Sequence, residues 1–266
     1  MPSDFDDIRA ALEHQMALYG DLVLVDGDAP VTSEVSSPEP TPSAPEPQPL
    51  PPPEPVSVSD PVSDPYARIA ALIPADSPLH AMFSLEEVSA WVAATELIEL
   101  DRTRKNLVFG VGHPQADLLV IGEAPGADED EQGEPFVGRA GKLLTDILKA
   151  IGFERSDVYI ANILKSRPPN NRDPLADEVA AHIPILHKQI ALIQPKLILC
   201  VGRTSGTSLL GRDSSLKDMR GIFHDYHGIE VMVTYHPAAL LRNPNWKRPT
   251  WEDVQLLRSR YDELTA

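Results

Sequence analysis

Cysteine is nearly absent: Cys200 is the only one in 266 residues. One thiol cannot close an internal disulfide and cannot by itself build a metal site, and the usage fits a reducing cytoplasm. Long apolar runs are missing too, and none approaches the length of a membrane span. The start, Met1-Pro2-Ser3-Asp4-Phe5-Asp6-Asp7, lacks the basic and apolar regions of a secretory leader, so a soluble intracellular protein is the expectation. Basic charge is scarce in the first hundred residues, which hold 18 acidic and 2 basic side chains, whereas residues 101–266 hold 22 and 21. The net charge of −17 therefore sits almost wholly upstream. A polyanionic partner is not excluded, because the charge that counts is the local one at a docking face.

Proline, in contrast, is abundant and concentrated. Thirteen of the 27 prolines fall between Pro30 and Pro65, mixed with Ser, Glu and Val. Such a stretch supports neither helix nor sheet ladder, and residues 30–79 read as a disordered, extended, solvated linker. Upstream, residues 1–29 form a short segment in which Ile8, Leu12, Met16 and Leu18 make an irregular apolar stripe compatible with one amphipathic helix. PxxP spacings such as Pro42 to Pro45 leave open an unidentified partner for this acidic extension, with a plain spacer as the simpler reading.

Residues 80–266 carry the signals of a folded domain. Ser84-Leu-Glu-Glu87 has capping-box spacing and opens a helix through Val88, Trp91, Val92 and Leu97. Short apolar strands at 117–121, 158–161, 197–201 and 231–234 then alternate with helices at 138–151, 174–193, 204–210 and 250–261, the last with Asp253 three residues after a Thr250 cap. This alternation predicts an α/β fold, a doubly wound sandwich with a mainly parallel four-stranded sheet and helices on both faces. Ligands of such sheets sit at the carboxyl ends of the strands, which selects the loops 122–136, 162–172, 202–204 and 235–246.

Those loops hold the unusual polar residues. The first, Gly122-Glu123-Ala124-Pro125-Gly126 followed by Gly133-Glu134-Pro135-Phe136, shapes tight turns around an acidic side chain and an aromatic suited to stacking on a planar group. Gly141-Lys142 is not a phosphate-binding loop, since Leu143 stands where Ser or Thr is required. The second loop opens on Asn162, whose amide carries both a donor and an acceptor for a pyrimidine edge, and continues through Lys165, Arg167 and Arg172 around a stiff proline pair, a phosphate-contacting wall. The last combines His236 with Leu240, Leu241, Arg242, Lys247 and Arg248. Each residue alone also has an ordinary reading as turn or core; their convergence on one crevice favours a site.

Three motifs make the chain similar to the family 4 uracil-DNA glycosylases: Gly122 to Leu144, Asn162-Ile163-Leu164-Lys165 with Arg167-Pro168-Pro169 and Asn171-Arg172, and His236-Pro237 with Leu240-Leu241-Arg242-Asn243-Pro244. The likeness spans roughly residues 85–263 and includes the lead-in Thr103-Arg104-Asn106-Val108-Phe109-Gly110. It implies an enzyme that flips deoxyuridine out of DNA, hydrolyses its N-glycosidic bond and leaves an abasic site for base excision repair. In that scheme Gly122, Ala124, Phe136 and Asn162 bind the base, with Phe136 stacking and Asn162 pairing with N3 and O4. His236 stabilises charge at O2. Glu123 positions water or stabilises the cationic sugar, and Asn171 is a further candidate for the water or the flipped nucleotide. Leu240 and Leu241 with Arg242 fill the vacated stack, while Lys165, Arg167, Arg172, Lys247 and Arg248 meet phosphates. No lysine is placed as a Schiff-base nucleophile, so strand cleavage is not expected. The expected partner is uracil-containing DNA, single- or double-stranded, bound by a cytoplasmic monomer. A non-catalytic binder of damaged DNA and a nucleoside N-glycosidase are the rival readings.

One departure stands out. Family members hold a [4Fe-4S] cluster on four cysteines, and the corresponding positions here are Thr95, Ile98, Ser166 and His182. None is a thiolate, so no cofactor is expected, and packing by Ile98 and its neighbours is expected to replace the lost staple.

Overall fold

A computed structural model describes residues 64–266. The expectations for residues 1–29, and for the linker up to residue 63, lie outside the described residues.

The first folded residues come earlier than the composition implies. Helix α1 (Pro65–Ala70) starts where residues 65–79 were expected to continue the linker. Pro65 occupies the first turn, where its missing N–H costs nothing, and the Asp64 carboxylate accepts the Tyr66 N–H. Ile69, Ile73 and Leu79 are then buried in the main core. The proline at residue 65 is thus a helix start, not linker. Helix α2 (Leu85–Ala94) begins as expected, with the Ser84 hydroxyl accepting the Glu87 N–H, but stops short of Leu97.

The sheet follows in the chain as β1 (Val111–Gly112), β2 (Leu118–Gly122), β3 (Tyr159–Asn162), β4 (Leu197–Val201), β5 (Phe223–Tyr226) and β6 (Ile229–Thr234). Its spatial order is β1-β3-β2-β4-β6-β5. The four expected strands form the parallel centre, β3-β2-β4-β6. The sheet is nonetheless six-stranded and mixed, because β1 and β5 add antiparallel edges. Both are short, and β5 reads Phe-His-Asp-Tyr, a hairpin arm without a sustained apolar signature.

Alternate residues of the central strands feed two cores. Leu119 and Ile121 of β2, Ile198 and Cys200 of β4, and Val231 and Val233 of β6 point to one. Leu118 and Val120, Leu197 and Leu199, and Met232 point to the other. The first core is closed by α1, α2, α5 (Ala176–Ile193), α6 (Arg203–Leu210) and α7 (Leu216–Met219); the second by α4 (Arg139–Ala150) and α9 (Lys247–Thr265). The short helices α3 (Ala127–Gln132) and α8 (Pro237–Arg242) lie within the loops that follow β2 and β6. Burial on both faces is what makes these strands read as nearly continuous apolar runs.

The start of α9 also differs from expectation. Thr250 is not its cap: the helix begins at Lys247, and the Thr250 hydroxyl donates back to the Trp246 carbonyl. Asp253, read as a capping partner, is buried and instead accepts from the Thr234 hydroxyl and the Arg220 guanidinium.

Candidate active site

Strands β2 and β3 pair so that Gly122 and Asn162 lie side by side at their carboxyl ends. Here glycine is a spatial necessity: a Cβ on Gly122 would fall 2.3 Å from Asn162 Oδ1 and 2.6 Å from Phe136 Cζ. The amide of Asn162, the ring of Phe136 and the backbone of Gly122 therefore converge on one point. Asn162 is 2% exposed, and its Oδ1 finds no hydrogen-bond partner among the described residues. A buried acceptor without a donor costs about 1–3 kcal/mol.

Phe136 is held in a conformation that non-glycine residues avoid, with φ of 55°. The clamp is Glu129, whose carboxylate accepts the N–H groups of Val137, Gly138 and Gly126. Gly141 completes it, since a Cβ there would meet the Phe136 carbonyl oxygen at 1.8 Å. Glu129 lies in a motif already singled out, yet its role was not legible because two of its three partners, Val137 and Gly138, lie eight and nine residues on.

Across the crevice, the ring of His236 sits 5.6 Å from that of Phe136. His236 caps α8, its Nδ1 accepting the Ala238 N–H at 3.1 Å. That bond places the proton of the neutral ring on Nε2. Burial, aided by the nearby Arg242 charge, lowers the His236 pKa to about 4, so the ring is a neutral donor at pH 7. Gly202, at the end of β4, allows this approach, with the His236 Cβ 3.3 Å from where its own Cβ would stand. Glu123 is half-buried beside Asn162's strand and hydrogen-bonds the Thr204 side chain; burial raises its pKa, and the charge of Asp173 adds to the rise. Thr204 is thus a site residue that the sequence offered only as part of a short loop. Ala124 lies in the same turn and packs on the first core.

Gly122, Phe136, Asn162 and His236 come together here, with Glu123 and Ala124 in the turn that directly follows Gly122. Other expected residues go elsewhere. Lys165 does not reach phosphate: it is fully buried, and its Nζ donates to the Asn162 carbonyl at 2.7 Å and to Gln189 Oε1 at 2.6 Å. Burial lowers its pKa to about 7. Leu240 is 1% exposed and belongs to the interior, so of the two expected wedge residues only Leu241, 41% exposed, reaches solvent. Asn171 is exposed, and its Oδ1 accepts from Arg167 Nε at 2.7 Å. Arg172 makes a two-pronged pair with Glu178, at 2.6 and 2.8 Å, which competes with any phosphate. Arg242, Lys247 and Arg248 are exposed as expected, Arg248 only loosely paired with Glu252 at 3.5 Å.

The four positions expected to have lost cluster ligands do come together, around a carboxylate. Asp101 accepts from the Ser166 hydroxyl at 2.5 Å, from His182 Nε2 at 3.1 Å, and from the N–H groups of Leu97 and Ile98. Arg104 pairs with Asp101 and donates to the Thr95 carbonyl. Burial alone would raise the Asp101 pKa; the hydrogen bonds from His182 and Ser166 outweigh it and hold the carboxyl well below the usual range. Hydroxyl, alkyl and imidazole groups already engaged in this way do not fit an iron-sulfur cluster. Leu97 and Ile98 pack against the first core as expected, and a polar hub centred on Asp101, which was not expected, ties the four positions together.

Residues 109–255 match the model of the uracil DNA glycosylase superfamily. Among curated relatives, a type-4 uracil-DNA glycosylase of Sulfurisphaera tokodaii is 45% identical over 186 residues, covering 66% of this chain and 84% of that protein. The type-4 uracil-DNA glycosylases of Archaeoglobus fulgidus and Thermotoga maritima are each 40% identical, covering 92% and 93% of their own lengths. The chain belongs to the type-4 uracil-DNA glycosylases. For a type-4 uracil-DNA glycosylase, the crevice described above lies at the expected end of the sheet, on the three loops whose motifs carried the resemblance. No helix among the described residues is long and apolar enough to cross a membrane.

Proposed function

We propose that this protein hydrolyses the N-glycosidic bond of deoxyuridine flipped out of DNA, releasing uracil and leaving an abasic site in the first step of base excision repair. The observation that carries this reading is the orphaned, buried Oδ1 of Asn162 beside the Phe136 ring. Uracil offers an N3–H donor and an O4 acceptor side by side. A carboxamide presents the complementary acceptor and donor, whereas cytosine reverses both. The cost of the unpaired Oδ1 is recovered only when a base with a donor at N3 arrives.

The bond from C1′ to N1 breaks with its electron pair going to the base, so uracil leaves as an anion and the sugar becomes cationic. His236, a neutral donor from Nε2, stabilises the charge at O2. Glu123, held by Thr204, is the carboxylate that stabilises the cationic sugar or orients the water that adds to C1′. The proton that water gives up passes to solvent, and the uracil anion takes one up as it leaves, so the step balances as water plus deoxyuridine to abasic sugar plus uracil. Leu241 fills the gap in the stack, and Arg242, Lys247 and Arg248 grip the strand. The protein acts as a monomer in the cytoplasm, since one chain supplies every loop of the crevice. It works without an iron-sulfur cluster, because Thr95, Ile98, Ser166 and His182 offer no thiolate and Cys200 is buried within β4. Stoichiometric iron, or visible absorbance of a cluster in the purified protein, overturns that last point.

Uracil-containing oligonucleotides, single-stranded and duplex, incubated with the protein and treated with alkali test the whole reading. Cleavage at uracil is expected, with a loss of about a hundredfold or more in kcat for Asn162→Ala and for His236→Ala and modest loss of DNA affinity. Absence of alkali-labile product at stoichiometric enzyme refutes it in favour of a binding protein. Activity on free deoxyuridine alone makes the chain a nucleoside hydrolase.

A further inference from the structure

The residue immediately before His236 belongs to a structure that the excision reading does not use. Tyr235 stacks on Trp246, with ring centroids 4.9 Å apart and planes at 16°. The Arg220 guanidinium lies over the Tyr235 ring at 5.6 Å. Arg220 is itself fixed: Nε and Nη2 donate to the Asp253 carboxylate at 3.1 and 3.0 Å, and Nη2 also donates to the Pro249 carbonyl. Asp253 in turn accepts a hydrogen bond from the hydroxyl of Thr234, the residue before Tyr235, at 2.6 Å. The aromatic pair is thus anchored to the end of β6 by a buried carboxylate. Trp246 nevertheless leaves 37% of its surface in solvent, in a chain where only 6% of residues are aromatic.

The surroundings define what such a surface takes. No acidic side chain falls between Thr234 and Glu252, whereas Arg242, Lys247 and Arg248 do, in a chain of net charge −17. A rigid, half-exposed aromatic platform flanked by cations, one residue from the wall of a base pocket, has the chemistry of a single-strand stacking site: a π-face for a base and positive charge for its phosphates. A residue that served only to pack the loop onto the fold has no need of that exposure or of that charge.

We propose that the Tyr235–Trp246 pair is a platform on which a base flanking the flipped uracil stacks, making it a specificity element for unpaired DNA. The proposal rests on the excision reading, because it places the platform beside a nucleotide already in the crevice. A flanking base that is paired must first unstack to reach Trp246, so the platform favours single-stranded substrate.

The test uses the full-length protein and single-stranded oligonucleotides holding one uracil, either with all bases present or with a tetrahydrofuran abasic analogue replacing the nucleotide on the 5′ or the 3′ side. Trp246→Ala is expected to raise KM about tenfold on the intact strand, the size of one base-aromatic stack, with kcat within about twofold. Trp246→Phe, which keeps a stacking face, is expected within about threefold of wild type. On the oligonucleotide lacking the stacked base, wild type and Trp246→Ala are expected to become equal, and on duplex substrate the penalty of Trp246→Ala is expected to shrink. An unchanged KM for Trp246→Ala, or a penalty that persists with both abasic flanks, overturns the platform while leaving uracil excision standing. If the wild type binds these strands without releasing uracil, the excision reading fails and the same comparisons are read on Kd by fluorescence anisotropy of labelled oligonucleotide, where equal affinities overturn the platform too.

Discussion

At the scale of single residues, the site is specified by absences as much as by groups. Gly122 leaves the space into which Asn162 Oδ1 and the Phe136 ring are drawn, and a methyl group there collides with both. Gly122→Ala is expected to cost about 1–3 kcal/mol of stability through overpacking. It should cost far more in turnover, because the amide and the ring cannot both hold position; uracil release near the wild-type rate would contradict this assignment of the pocket floor. His236 gives a prediction in pH. Its ordinary pKa is about 6.5, and the folded value is about 4. The unfolded chain therefore binds a proton between those values that the folded chain refuses, so stability falls as pH drops from about 6.5 towards 4. His236→Asn, which keeps an acceptor for the Ala238 N–H, is expected to flatten that part of the profile when melting temperatures of the two proteins are compared across pH. In the wild type, kcat/KM should show no break near 6.5, since the ring is already neutral there; a break at that pH would place His236 in solvent.

At the scale of elements, legibility tracked how local the physics is. The four central strands and their loop-bearing ends were readable because burial on both faces leaves uninterrupted apolar runs, as in Leu118-Leu119-Val120-Ile121. The edges β1 and β5 were not, since pairing with a neighbour that is distant in sequence, and not composition, makes them strands. The same reason hid Lys165: its partner Gln189 lies 24 residues on, along α5, and nothing local distinguishes a buried lysine from a phosphate-binding one. It also hid the Asp101 hub, which joins positions 65 and 81 residues away. In α8 the ambiguity was one of phase, because only the helix's orientation decides that Leu240 faces inward and Leu241 outward. Leu240→Ala is accordingly expected to cost about 2–5 kcal/mol of stability. Leu241→Ala should leave the melting temperature nearly unchanged while slowing excision more from duplex than from single strands. The hub yields a companion expectation. Asp101→Asn removes a charge that receives five donors and should destabilise by about 3–5 kcal/mol at neutral pH. Because the folded Asp101 carboxyl is held below its ordinary value, the wild type loses that advantage as pH falls below about 4. The gap between the two unfolding curves should therefore narrow in acid, and a gap that stays constant with pH would show that Asp101 is not the charged centre of the staple.

At the scale of the whole molecule, a chain of net charge −17 is organised to act on a polyanion. Residues 64–266 carry 28 acidic and 22 basic side chains, a net of −6, and the remaining −11 lies in residues 1–63. Within the folded unit, Arg242, Lys247 and Arg248 stand together in a stretch free of acids, at the same end of β6 as His236. Local charge, not the total, then sets docking, and the acidic residues 1–63 are expected to act mainly through long-range repulsion. Repulsion of that kind is screened over roughly 8 Å at physiological salt and over about 30 Å at 0.01 M. Removal of residues 1–63 is therefore expected to tighten binding to a uracil-containing oligonucleotide several-fold at about 10 mM salt and to leave it almost unchanged above about 150 mM. The slope of log Kd against log salt should steepen accordingly, because the full-length chain's repulsion, strongest at low salt, partly offsets its attraction there. Equal affinities for the two proteins at low salt would mean that the acidic segment stays clear of the DNA, and a weaker truncated protein would mean that residues 1–63 contribute contacts of their own. Melting temperatures of the two proteins provide the control, since the cores that hold the crevice are built from residues 69–257 and should be indifferent to the loss.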